Sequence, residues 1–110
     1  DVFHSMASDS GLALTELRVD GGACRNNLLM QIQADVLGVP VVRSQVTETT
    51  ALGAAYLAGL ATGYWFSAEE IASQWRQERR FEPQWTPDQR AQVGARWRKA
   101  IDRARLWAQV

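Results

Sequence analysis

The chain has 110 residues, 46% of them hydrophobic and 22% charged, with twelve basic and twelve acidic side chains and a formal net charge of zero. One domain is the most this length supports, and a chain of this size buries roughly 65% of its unfolded surface, enough for a core without cross-links. Neutrality excludes nucleic-acid binding driven by overall charge, and the lone cysteine, Cys24, excludes an intrachain disulfide and a cysteine-built zinc site. No apolar run approaches the ~20 residues of a membrane span, and no basic stretch followed by an apolar one marks a secretory leader. The first residue is Asp1, and Met6 lies within a helical pattern. The length therefore reads as that of a piece of a longer protein.

The neutral total hides an asymmetry. Residues 1–63 carry three arginines against six carboxylates, whereas residues 64–110 carry nine basic groups against six acidic ones. All five tryptophans, Trp65, Trp75, Trp85, Trp97 and Trp107, fall in the second part, and most glycines fall in the first. The chain thus divides into a turn-rich α/β unit, 1–63, and a helical cap, 64–110. The residues around the tryptophans do not recur, so their spacing is no repeat.

In chain order, Val2, Phe3 and Met6 have helical spacing, and Gly11 stands where a helix ends. Residues 14–19 alternate apolar and polar and predict a short strand. Asp20-Gly21-Gly22 breaks the chain. Residues 24–37 predict an amphipathic helix with Leu28, Leu29, Ile32, Val36 and Leu37 on its apolar face, closed by Gly38. Residues 39–42 predict a second strand, with Pro40 at its start or on an edge. Residues 47–61 predict a helix rich in alanine and glycine. Ser67 and Glu70 form a capping box for the next helix, and residues 81–85 form a loop. Thr86 caps the last helix, with Pro87 at its first position. Val93, Trp97, Ala100, Ala104 and Trp107 then make a core-facing stripe. The order is α-β-α-β-α-α-α: an α/β unit, helix-rich, with two short strands.

The chemistry concentrates in residues 17–27. A strand ends in Asp20, two glycines turn the chain, and a helix follows. Ligands of α/β folds collect at the carboxyl ends of strands. Helix-start N–H groups attract anions such as phosphate, and adjacent glycines let backbone approach a flat ring or a phosphate. Asn26, one turn into the predicted helix, offers a donor and an acceptor to a purine. The alternative is a tight turn in which Asp20 caps the helix. Neither a Walker A sequence nor a GxGxxG run is present.

The stretch LRVDGGACRNNLLMQIQADVLGVPVVR, followed by ETTALGAAYLAGLATGYW, resembles the C-terminal domain of glycerol kinases, within the FGGY carbohydrate kinases. MASDSG upstream, and FEP and WRKAIDRA downstream, extend the likeness over nearly the whole chain. The resemblance implies part of an actin-like, ribonuclease H-like ATPase domain. It also implies a whole enzyme that moves the γ-phosphoryl group of ATP to glycerol, with Mg²⁺, in the cytoplasm and as a homo-oligomer. By position, Gly22 would approach the adenine and ribose of ATP, Asn26 would contact the adenine, and Asp20, Gly21 and Ala23 would shape the loop. The glycerol-binding residues and the catalytic carboxylate match nothing here, so the chain alone is expected to be inactive. Ser44 departs from the proline frequent at that position. The alternatives are another FGGY sugar or polyol kinase, or a non-catalytic interaction domain.

Other residues have plainer readings. Cys24 lies at a helix start, where a thiolate is favoured, but with His4 as the only histidine it reads as a packing residue. His4 itself reads as a surface or packing residue. Glu48 complements a helix dipole or supports the loop from behind. Trp65, Trp75 and Trp85 cover a domain face, and Arg76, Arg79 and Arg80 read as a solvated or ion-paired face.

Overall fold

The computed structural model describes residues 1–105. Helix α1 spans Val2–Ser10, strand β1 Leu17–Val19, a 3-10 turn Gly22–Arg25, α2 Asn27–Leu37, β2 Val41–Ser44, α3 Thr49–Thr62, α4 Ala68–Ser73, β3 Gln77–Phe81 and α5 Pro87–Arg105. The sheet order is β1-β2-β3, with β1 and β2 parallel and β2 and β3 antiparallel. Leu17 pairs with Val41, and Val41 with Phe81.

Three strands replace the two expected from the sequence. The helix begun at Ser67 stops at Ser73, and the chain turns into β3. The sequence of β3, QERRF, hides it: the first four residues are exposed and only Phe81 is buried. A strand with no alternation of polar and apolar residues gives no period to detect. Arg79 and Arg80 therefore lie on a strand. Arg80 pairs with Glu16 and Glu82, and the Arg79 guanidinium lies 4.7 Å from the Phe81 ring centre.

Strand β2 is the centre of the molecule, buried at all four positions. Val41 and Phe81 join Cys24, Met30 and Ala34 in one core, with Leu17 and Val19 packed against it. Fully burying a valine, methionine or phenylalanine contributes about 1.5–3 kcal/mol each, so this small cluster dominates the stability of the unit. Helix α2 meets the sheet through Met30 and Ala34, not through the leucine-rich face the sequence suggests. Leu28, Leu29, Ile32 and Val36 are exposed. Ala34, with no accessible surface, is small enough to seat the helix directly on the strands. Asp35 is also buried; its Oδ1 accepts from the backbone N–H of Gln84 at 2.6 Å and from Gln31 Nε2 at 3.1 Å. The bond from Gln84, with that from Gln31 Nε2 to the Glu82 carbonyl at 2.8 Å, fastens α2 to the segment after β3.

The caps follow the sequence reading. Gly11 and Gly38 close α1 and α2 in the left-handed conformation. Ser67 Oγ accepts from Glu70 N–H at 3.1 Å, although Glu70 reaches back to Phe66 N–H. Thr86 and Gln89 exchange side-chain-to-backbone bonds around Pro87. The α5 stripe is a correction: α5 has no buried residue, and Trp97 is 57% exposed. Trp97 Nε1 donates to Asp1 Oδ2 at 3.0 Å at the rim of a groove of about 540 Å³ that also meets His4, Val36 and Arg90. Trp107, assigned to the same stripe, lies outside the described residues. No described helix is long and apolar enough to cross a membrane.

Helix α3 is apolar on every side, and only Gly59 in it is buried. The reason is Trp65, which folds back over Gly59 and packs edge-on against Tyr56 and Tyr64, with ring centres 5.1 and 4.8 Å apart. A Cβ at Gly59 would stand 2.1 Å from the Trp65 ring. Gly59→Ala is expected to cost about 1–3 kcal/mol by displacing a rigid indole. An unfolding midpoint equal to wild type, with unchanged tryptophan emission, would contradict this packing.

Candidate functional site

Five residues were expected to form a site, and the structure brings them together at the carboxyl end of β1. Asp20 leaves the strand exposed, and its Oδ2 accepts from the hydroxyl of Thr49 at the start of α3. Asp20 therefore ties two loops together rather than capping α2. Gly21 follows with φ +81° and ψ 168°, a region essentially closed to other residues and costing them of order 1–3 kcal/mol. Its N–H donates to the carbonyl of Thr47 at 2.8 Å. The chain then winds through the 3-10 turn, where Cys24 N–H bonds to Gly21 carbonyl and Asn26 N–H to Ala23 carbonyl, both at 3.2 Å.

The turn has two sides. Cys24 points inward, 2% exposed, and pins the loop to the core as a packing residue. Gly22, Ala23 and Asn26 face outward. Nothing lies within 4 Å of where a Gly22 Cβ would sit, and Gly22 does not have a positive φ. The outer surface is thus bare backbone with one methyl group beside it. A planar ring can lie against such a surface without meeting side chains.

Asn26 differs from the sequence reading. It is not one turn into a helix; it is the N-cap of α2, its Oδ1 accepting from Leu29 N–H at 3.1 Å. The acceptor is spent on the helix, and the amide nitrogen bonds to none of the described residues. What Asn26 offers a ligand is therefore a donor. The same cap occupies the Leu29 N–H, one of the donors at the start of α2.

Sequence reasoning missed the supports. Arg43, on β2, donates from Nη1 to the Cys24 carbonyl at 2.7 Å and to Asn27 Oδ1 at 2.9 Å. Its Nε and Nη2 meet Glu78 Oε2 and Oε1 at 2.5 and 3.3 Å. Thr47 receives both Gly21 N–H and, at its hydroxyl, Arg25 at 3.2 and 3.3 Å. Glu48, the acidic residue singled out there, makes no side-chain cap. The signal lay in the neighbouring threonines, whose hydroxyls reach the loop. A polar cleft of about 270 Å³ lies beside the loop, lined by Arg25, Arg43, Ser44, Gln45, Thr47 and Glu78. The larger groove near Trp97 meets α2 at Val36 and Leu37, the end of the helix away from this loop. Among the described residues no three His, Cys, Asp or Glu side chains gather as metal ligands.

The comparisons with known proteins give the class of the chain. Residues 1–62 match the C-terminal domain of the FGGY family of carbohydrate kinases, and the chain belongs to that family. It is 60% identical over 107 residues to a glycerol kinase of Deinococcus radiodurans, covering 97% of this chain and 21% of the relative. A glycerol kinase of Plasmodium falciparum, solved with ADP, superposes with a TM-score of 0.78 at 32% identity, covering 93% of this chain and 21% of that one. A ligand-bound xylulose kinase of Lactobacillus acidophilus shares the fold, with a TM-score of 0.67 at 22% identity over 86% of this chain and 19% of that one. The chain spans about a fifth of the length of the curated relatives it matches. The fold is accordingly part of the actin-like, ribonuclease H-like kinase domain.

The Arg43–Glu78 pair has a consequence for acid stability. The hydrogen bond from Arg43 holds the Glu78 carboxyl below its ordinary range, and Arg80 and then Arg18 do the same for Glu16. A depressed folded value stabilises above the unfolded value and is lost as pH falls through the folded one. The melting temperature of the chain is expected to drop as pH falls below about 4.3, and Glu78→Gln to flatten that drop. An identical acid slope in the variant would show that the pair does not report on folding.

Proposed function

We propose that this chain is the adenine-nucleotide side of an ATP-dependent glycerol kinase. The observation that carries the reading is the bare outward surface of Gly22 and Ala23, ended by the free amide of Asn26 and held over the core by Cys24. The adenine and ribose of ATP would lie against Gly22. The Asn26 amide would donate to a ring nitrogen of the base, and Asp20 and Gly21 would hold the loop's shape. Identity of 60% to curated glycerol kinases supports glycerol as the acceptor, and the neighbour solved with ADP supports the nucleotide.

In the whole enzyme a terminal oxygen of glycerol would attack the γ-phosphorus, and the bond to the β-phosphate oxygen would break, giving sn-glycerol 3-phosphate and ADP. Such transfer depends on positioning and charge stabilisation, and closure of two domains around the site keeps water from competing as acceptor. This chain would supply one wall of the cleft, with residues 1–63 as the nucleotide unit and 64–110 as a cap that lends β3 to the sheet. Mg²⁺, glycerol and the base that takes the hydroxyl proton would be held by residues elsewhere. Self-association and a cytoplasmic location of the whole enzyme are part of the same reading and rest on family likeness alone.

Because space is open at Gly22, Gly22→Leu is expected to fold normally in the full-length enzyme. It should raise the KM for ATP by about tenfold or more while leaving the glycerol KM within about twofold. An unchanged ATP KM would remove the loop from the nucleotide site. The chain by itself is expected to form no ADP from ATP in the presence of glycerol. Glycerol-dependent ADP release from the purified chain would overturn the division of labour drawn above.

A further inference from the structure

The side chain that touches most of the loop's framework is not on the loop. Arg43 is the third residue of β2, and its side chain is 9% exposed. Cys24 stands two residues after Gly22 and two before Asn26. By donating to the Cys24 carbonyl and to Asn27 Oδ1, a single guanidinium nitrogen fixes the separation between the 3-10 turn and the start of α2. Glu78, reaching over from β3, takes the other edge of the same guanidinium and fixes its plane. We propose that Arg43, braced by Glu78, is a positioning residue for nucleotide binding: it sets the spacing between the bare Gly22 surface and the Asn26 amide, and acts on the nucleotide only through them. The inference rests on the assignment of this loop to adenine nucleotide.

The chemistry requires arginine. A guanidinium presents donors in fixed directions and faces a carboxylate with one edge while another N–H meets a carbonyl. A lysine ammonium is a single point on a flexible stem and cannot hold the carboxylate and the carbonyl in the same planar geometry. The loop therefore depends on a residue nineteen positions beyond Cys24, and on β3 beyond that. A brace of this kind affects the ligand whose two contacts it spaces. It does not reach a ligand bound elsewhere in the enzyme.

The test is made in the full-length enzyme with Arg43→Lys, Glu78→Gln and Gly22→Leu, by steady-state kinetics in both substrates and by titration with ADP. Arg43→Lys is expected to raise the ATP KM and weaken ADP binding by about fivefold or more, with the glycerol KM shifted by less than about twofold. Glu78→Gln, which keeps the arginine and its carbonyl bond, is expected to give a smaller rise of the same kind, so the test survives if Arg43→Lys folds poorly. Loss of kcat with ATP KM and ADP affinity unmoved in both variants would overturn the proposal, since a general structural brace behaves that way. If Gly22→Leu weakens ATP while the Arg43 and Glu78 variants do not, the nucleotide loop stands and the positioning role fails. If none of the three moves ATP, both fail.

Discussion

The structure depends on one buried cation. Arg43 sits where β2, the Gly22–Arg25 turn, the first residue of α2 and β3 converge, and it bonds to three of them at once. A charge so shielded is tolerated only when paired and hydrogen-bonded, and here every edge of the guanidinium is used. The core around it is small: Cys24, Met30, Ala34, Val41 and Phe81. Hydrophobic burial supplies the stability, but burial is non-directional. The cation network fixes the angle at which the loop leaves the sheet.

This arrangement explains why the glycine loop can be bare and yet ordered. Its inner side is fastened by the Cys24 side chain and carbonyl, and its flanks by Gly21 N–H to Thr47 and by the Thr49 hydroxyl to Asp20. None of these bonds uses the outward face. The holding is done from beneath and from Thr47 and Thr49, which leaves Gly22 and Asn26 exposed.

The loop was legible in the sequence because its signals are local: an acid at a strand end, paired glycines, an asparagine at a helix start. Helix caps at Gly11, Ser67 and Thr86 were legible for the same reason. What stayed hidden depends on distant partners. Gln77–Phe81 has no alternating pattern, because it lies against only one neighbour and buries only Phe81. Arg43 and Glu78 are 35 positions apart, and neither is unusual alone. Helix α2 turns its Met30–Ala34 side to the strands because close seating at Ala34, not total apolarity, decides which face fits. Trp97 looked like a core residue by its spacing, yet α5 has no buried position.

The two borders of the sheet are treated differently. Open backbone at a sheet border invites a strand from another molecule, which is how many proteins aggregate. Strand β1 gives such a strand only three residues to pair with, too few for a lasting ladder. Strand β3 is longer, but Glu78, Arg79 and Arg80 crowd its exposed positions with charge of both signs. An incoming strand would have to strip water from these groups without replacing their partners. The charges that make β3 hard to recognise as a strand also keep the sheet from growing.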